Sequence, residues 1–264
     1  MHSELARFHR PERTLVVSGI SRSGTSLLSV LLNSVQDVVC FNEVLPSKPE
    51  QLPEAVARVR RDLLAGKPVR NKFDSAGELT TDTLSVMVKK KARVEKPLDK
   101  NLCVATKRNI PYLNEAEALL GLGYHMVVMV RDPVYTLGSW GSPKAAAAAI
   151  PGARVAVGDV HSHWSRVRFT RQDLVERRAE AWQHYAARIW NLKDRLLILA
   201  YEELCARPDK TLAKLCHHAA LPAPGPLPQI VRPAFNDDDR YPELPRIRAA
   251  VRELCPARAR FGYA

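Results

Sequence analysis

The sequence predicts an α/β protein built on a central parallel sheet flanked by helices. Three observations carry that expectation. Short apolar runs alternate with longer amphipathic stretches, the pattern of a parallel sheet covered on both faces. The run from His125 to Val130 is the clearest buried strand. And Ser21, Glu43, Lys107, Arg131 and Tyr201 each fall just past the end of an expected strand, at the edge where open α/β sheets bind ligands. At 264 residues the chain can bury a large core. It shows no internal repeat and no second domain, so one domain over 1–264 is expected.

Leu15 to Ser18 reads as the first strand and Thr25 to Asn33 as a helix. Val38 to Phe41 is a short strand ending at Asn42-Glu43, and Pro53 to Ala65 is an amphipathic helix. Residues 66–100 are polar and charged and carry no clear period; Lys89-Lys90-Lys91 within them reads as a solvated helix or loop face. Leu102 to Thr106 is a strand followed by Lys107. Tyr112 to Leu120 is helical, punctuated by Gly121 and Gly123. After His125 to Val130, Pro133 marks a helix start. Five consecutive alanines, then Pro151, Gly152 and Gly158, mark residues 141–170 as an insertion or lid. Arg171 to Leu192 is a long amphipathic helix, Leu196 to Ala200 a strand and Asp209 to Ala219 a helix. The Pro-rich stretch 222–245 reads as a tethered loop.

Composition narrows the class. No apolar run approaches the ~20 residues of a membrane span, and the polar start, Met1 to Arg13, has no signal-peptide core. The five cysteines form no CxxC pair, which argues against a zinc site or a disulfide framework. A cytoplasmic protein with reduced thiols is expected. The net charge of +12 suits a polyanionic ligand or a generally basic surface. Basic residues with interleaved aromatics are not concentrated in any segment, so nucleic acid is not the expected partner. His161, His163, His217 and His218 have no carboxylate cluster beside them, and no metal is expected.

The chemistry concentrates in two places. Thr-Leu-Val-Val-Ser-Gly-Ile-Ser-Arg-Ser-Gly-Thr-Ser, residues 14–26, is a strand, a Gly-x4-Gly loop and a helix start. That layout cradles a phosphate on backbone N–H groups at a helix N-terminus. The lysine of a nucleotide triphosphatase loop is missing; Thr25 stands in its place, and the loop's cation is Arg22. Second, Arg131-Asp132-Pro133 ends a strand, and Ser139 lies eight residues after Arg131. A guanidinium and a hydroxyl so placed can grip a further phosphate. The plainer alternative pairs Arg131 with Asp132 or Glu202 and leaves Ser139 as a helix-packing residue.

Together the loop, the element Arg131-Asp-Pro-Val-Tyr-Thr-Leu-Gly-Ser139 and Tyr201-Glu-Glu-Leu-Cys-Ala-Arg-Pro-Asp resemble the sulfotransferases that use 3′-phosphoadenosine 5′-phosphosulfate (PAPS). The likeness runs from residue 14 to about 220 and is strongest to the branch of tyrosylprotein sulfotransferases and many bacterial enzymes. The ending Arg-Phe-Gly-Tyr is common in bacterial members. The resemblance implies a P-loop-like fold. It also implies that Arg22, Ser23, Gly24, Thr25 and Ser26 bind the 5′-phosphosulfate, Arg131 and Ser139 the 3′-phosphate, and Tyr201 the adenine. Arg232 would stand for a late lysine that reaches the cofactor. Glu43 would be the general base and Lys107 would stabilise the sulfuryl group, with Arg22 sharing the charge of the leaving phosphate. The expected product is adenosine 3′,5′-bisphosphate (PAP), and no metal is needed.

Sulfuryl transfer is an in-line displacement with charge spread over equatorial oxygens. A carboxylate that receives the acceptor's proton suits it, and burial among apolar neighbours would raise the Glu43 pKa. The expected acceptor is a hydroxyl or amine on a small molecule, lipid or carbohydrate, bound by variable loops at 44–100, 141–170 and 225–245. Trp140, Trp164 and Phe169 would either line that site or form core. Two alternatives stand beside this reading. The missing Walker lysine and the Arg131/Ser139 element speak against an ATP-dependent kinase. The positive charge permits a non-catalytic nucleotide- or nucleic-acid-binding relative.

Overall fold

The computed structural model describes residues 3–73, 88–141, 164, 166–227 and 236–264. A short helix α1 (Ser3–Ala6) and a 3-10 turn (Pro11–Arg13) lead into β1 (Thr14–Gly19), α2 (Thr25–Asn33), β2 (Val38–Asn42) and α3 (Leu52–Leu64). An antiparallel ribbon follows, β3 (Val69–Phe73) and β4 (Val88–Ala92). Then come β5 (Cys103–Lys107), α4 (Ile110–Asn114), α5 (Ala116–Gly121), β6 (His125–Val130) and α6 (Pro133–Gly141). The last elements are α7 (Leu174–Asn191), β7 (Leu197–Ala200), α8 (Tyr201–Ala206), α9 (Pro208–His218) and α10 (Leu244–Leu254).

Among the described residues the main sheet has five strands in the order β2-β5-β1-β6-β7, every neighbouring pair parallel. Strand alternation sorts its side chains into two cores. Leu15, Val17, Val127 and Met129 pack with Leu28, Leu31 and Leu32 of α2 and with Leu212 and Leu215 of α9. Val16, Phe41, Val104 and Val128 pack on the other face with Val56 of α3, Trp182 and Tyr185 of α7 and Ile247 of α10. Burial on both faces explains the continuous apolar strands, and each fully buried Val or Leu contributes about 1.5–3 kcal/mol of transfer free energy.

The register sets the position of the site. Asn42 pairs with Lys107, Val17 with Lys107, Gly19 with Met129, and Val130 with Ala200. The chain therefore leaves β2, β5, β1, β6 and β7 at one common edge, and Glu43, the loop 20–24, Arg131 and Tyr201 all emerge there. Helix starts at this edge follow local chemistry. Asp132 accepts the Val134 N–H at 2.8 Å, so it caps α6 with Pro133 in the first turn. Asp173 caps α7, accepting from the Val175 and Glu176 N–H groups at 3.0 and 3.1 Å.

Three expectations are corrected, and one alternative left open is decided. Residues 66–100 hold the β3–β4 ribbon, and Lys89 to Lys91 lie on strand β4 rather than on a helix or loop. Asn71 anchors the ribbon to the sheet: its Oδ1 accepts from Asn42 N–H and its Nδ2 donates to Cys40 C=O. The helix expected at 112–120 is broken into α4 and α5 around Glu115. Arg188 from α7 donates to the carbonyls of Leu113 and Asn114 there, which draws those groups away from a continuous helical ladder. Helix α10 begins within the stretch read as loop, its Leu244, Ile247 and Val251 turned to the core; of that stretch, 228–235 lie outside the described residues. Finally, Trp140 and Trp164 are core. They meet edge to face at 5.4 Å between ring centres, Trp164 meets Tyr185 at 5.6 Å, and both tryptophans are buried. Phe169 packs against this cluster beneath Arg177. The rest of the expected lid, 142–163 and 165, lies outside the described residues, as do His161 and His163.

Candidate active site

The β1–α2 loop is tight because of what it packs against. A Cβ on Gly19 would stand 2.5 Å from the Met129 carbonyl oxygen, and one on Gly24 would stand 2.4 Å from the Tyr201 ring. Gly24 also sits at φ 87°, where a side chain is strained. The Ser23 hydroxyl donates to Met129 C=O at 2.9 Å and the Thr25 hydroxyl to Asn109 Oδ1 at 2.8 Å. Both hydroxyls thus turn inward and brace the loop. The first N–H groups of α2 have no helical partner and carry the positive end of its dipole. Trp140 steadies the loop from outside, donating from Nε1 to Ser21 C=O at 3.0 Å.

Arg22 adopts φ 72°, a left-handed conformation that costs a non-glycine residue about 1–2 kcal/mol. Its Nε donates to Ser139 Oγ at 2.9 Å. Its carbonyl faces Arg131 Nη1 at 3.4 Å. Arg131 is buried, lies over the Tyr201 ring at 4.8 Å and donates from Nε to Asn236 Oδ1 at 3.0 Å. The structure brings Arg22, Arg131, Ser139 and Tyr201 together at one place. Tyr201 fills the space between Gly24 and Arg131.

A second group stands behind Arg131. Asn236 Nδ2 donates to Glu202 Oε1 at 2.9 Å, and the Asp132 N–H approaches the same oxygen at 3.2 Å. Tyr263 donates its hydroxyl to Glu202 Oε2 at 2.9 Å. Burial, with Glu202 beside it, pushes the Tyr263 phenol well above its ordinary value, so it stays a donor. The tail Arg-Phe-Gly-Tyr is thus wired to Arg131 through Glu202 and Asn236. Of these, sequence reasoning noticed the tail and the Tyr-Glu pair but gave neither Glu202 nor Tyr263 a site role, and it missed Asn236.

On the β2 side, Glu43 also has positive φ, 59°. Two backbone contacts hold it: its N–H donates to Lys107 C=O at 2.9 Å and its C=O accepts from Arg108 Nη2 at 3.1 Å; Arg108 Nε in turn donates to Leu45 C=O at 2.9 Å. The carboxylate is gripped at both oxygens, Oε1 by Lys107 at 2.7 Å and Oε2 by Lys72 at 3.0 Å. Lys107 Nζ also reaches Ser26 Oγ at 3.4 Å. Both lysines are almost fully buried, at 3% and 2% exposure, while the Glu43 side chain is 37% exposed. Desolvation works to raise the Glu43 pKa, but the charges of Lys107 and then Lys72 outweigh it and hold the carboxyl at about 2. This reverses the expected upward shift: the neighbours that bury Glu43 are cations, not apolar groups. Lys72 was missed because it lies in the stretch with no readable period. Arg232 lies outside the described residues.

The donors converging here are guanidinium, ammonium and hydroxyl groups and helix-start N–H groups, a set matched to phosphate and sulfate oxygens. Among the described residues no group of three or more His, Cys, Asp or Glu is placed to hold a metal ion. His218 meets His125 edge to face at 5.9 Å, near the N-terminal start of β6 and away from this edge. No described helix is long and apolar enough to cross a membrane.

The sequence matches the model of the sulfotransferase family over residues 14–225. The chain belongs to the sulfotransferase family. Solved sulfotransferases resemble this one at low identity. One from Alicyclobacillus acidocaldarius is 14% identical, covers 97% of each chain and has a TM-score of 0.49. STF9 from Mycobacterium avium is 16% identical over 96% of this chain and 70% of its own, with a TM-score of 0.45. Mouse SULT7A1, solved in complex with PAP, is 12% identical over 94% of this chain and 67% of its own, with a TM-score of 0.37. Among curated protein sequences nothing matches this one. The matched span of this sulfotransferase contains the loop, Glu43, Lys107, Arg131, Ser139 and Tyr201.

Proposed function

We propose that this sulfotransferase moves the sulfuryl group of PAPS to a hydroxyl or amine on a small-molecule, lipid or carbohydrate acceptor. The observation that carries the reading is the convergence of Arg22, Ser139 and Arg131 beside the Gly19–Gly24 loop, facing the Glu43–Lys107 pair across one sheet edge. Bound PAPS supplies the activated sulfuryl group and a phosphate leaving group. Arg22, Ser26 and the first N–H groups of α2 are assigned to its phosphosulfate end, with Ser23, Gly24 and Thr25 shaping that loop. Arg131 and Ser139 are assigned to the 3′-phosphate and Tyr201 to the adenine side.

Glu43 is assigned as acceptor of the nucleophile's proton. A carboxyl at about 2 is ionised throughout the neutral range, so it always offers a hydrogen-bond acceptor to the incoming hydroxyl. It is a weak base. In a loose transition state the bond to the nucleophile forms late, so orienting the hydroxyl matters more than basicity. Lys107 and Arg22 concentrate positive charge where negative charge develops.

The test is titration of the intact chain with PAP and with ATP. PAP is expected to bind at least tenfold tighter than ATP. Equal or tighter binding of ATP would favour the kinase reading, and absence of PAP binding would end the proposal.

A further inference from the structure

A row of cations leads away from Glu43 along the β3–β4 ribbon. Successive strand residues face opposite sides, so Arg70 shares a face with Lys72, roughly 7 Å along the strand. The antiparallel register sets Lys91 directly opposite Arg70. Arg70 and Lys91 are both exposed, and Lys72 is buried with its Nζ on the Glu43 carboxylate. Like charges directly opposite one another on a ribbon are unfavourable. Neither Arg70 nor Lys91 is joined to a carboxylate among the described residues. On the other face, Asn71 fastens the ribbon to β2 through Asn42 N–H and Cys40 C=O. The cations are therefore fixed relative to Glu43 rather than carried on a loose arm.

We infer that the Arg70–Lys91 face is the acceptor subsite, and that it takes an acceptor bearing an anionic group (carboxylate, sulfate or phosphate) near the hydroxyl or amine that is sulfated. This rests on the sulfuryl-transfer reading, with Glu43 beside the nucleophile. The chemistry follows from position. Lys72 and Lys107 are both committed to Glu43, so Arg70, two residues along the strand from Lys72, and Lys91 opposite it add further positive charge on the same ribbon face, toward which an acceptor bound at Glu43 would extend. Edge lysines also deter strand pairing, but that role is blind to the charge of the acceptor.

The test uses matched probes: phenols and sugars offered as the acid and as its neutral amide, to the PAP-loaded protein for binding and to the PAPS-loaded protein for turnover. The acids are expected to bind about tenfold tighter than their amides, the effect of one to two favourable ion pairs. That preference should shrink as salt rises. The Arg70→Glu/Lys91→Glu variant should lose or invert it, with PAP titration reporting that the variant is folded. Acids binding no better than amides across the panel would overturn the inference, as would a charge-reversed variant that keeps the preference. Failure of the wild-type chain to bind PAP would instead overturn the sulfuryl-transfer reading itself.

Discussion

The two halves of the sheet edge hold charge in opposite ways. On the β1/β6 side, Arg22 and Arg131 are held through a serine hydroxyl, an asparagine amide and a carbonyl. The nearby carboxylate, Glu202, is set behind Asn236 and bonded to Tyr263. On the β2/β5 side, Glu43 is in direct contact with both Lys107 and Lys72. A hydroxyl, an amide and a carbonyl orient these guanidinium groups, and oriented guanidinium donors suit anion binding. Direct ion pairs fix a carboxylate and lower its pKa, so the second half suits orienting a nucleophile. On the proposed function, the first half takes the donor and the second the acceptor.

The sharpest way to break that separation is Glu43→Gln. The amide keeps an acceptor oxygen but cannot take the proton, so kcat should fall by about 10²-fold, the low end for a lost acid–base group, and PAP affinity should stay within a factor of a few. Turnover kept near wild type would place the proton acceptor elsewhere. A smaller effect is expected behind Arg131. Tyr263→Phe removes one hydrogen bond to Glu202 and should weaken PAP binding by about three- to tenfold. Binding of 5′-AMP, which lacks the 3′-phosphate, should be unchanged; equal weakening of both ligands would make Tyr263 a general structural residue.

The smallest effect concerns pH. Glu43 is depressed to about 2 by Lys107 and Lys72 against the opposing pull of desolvation. A depressed carboxyl contributes stability above its unfolded pKa and loses it as pH falls through the folded value. Its contribution should therefore fade between about pH 4.5 and 2. Lys72→Met leaves desolvation and removes one cation, so the Glu43 pKa should rise toward the ordinary carboxylate range. The acid limb of the pH–rate profile should move up with it, and an unmoved limb would mean that Lys72 does not tune Glu43.

Much of this was legible in the sequence because it rests on local patterns. The strand His125–Val130 and the helices Thr25–Asn33 and Pro133–Gly141 follow from apolar runs, a glycine turn and an Asp-Pro start. Residues that come just after strands were found for the same reason, since a parallel sheet gathers its strand ends. What stayed hidden was set by tertiary contacts. Lys72 looks like any surface lysine until Asn71 pins its strand to β2. Asn236 lies far from Arg131 in sequence and was lost in a Pro-rich stretch. Trp140 and Trp164 carried no sign of whether they faced a ligand or one another. The direction of the Glu43 pKa shift was misread because burial was expected among apolar groups, and the burying groups are ammonium ions.

The central claim is that the Arg22–Ser139–Arg131 half reads a nucleotide phosphorylated at both its 5′ and 3′ ends. It is tested most directly by calorimetric titration of PAP and 5′-AMP into the wild-type chain and into Arg131→Ala. The account predicts that wild type prefers PAP by about 100-fold or more, the effect of a buried charge-assisted contact. Arg131→Ala should bring that preference close to one while 5′-AMP affinity stays nearly constant. A wild-type chain that binds both alike, or an Arg131→Ala variant that keeps the preference, would contradict it.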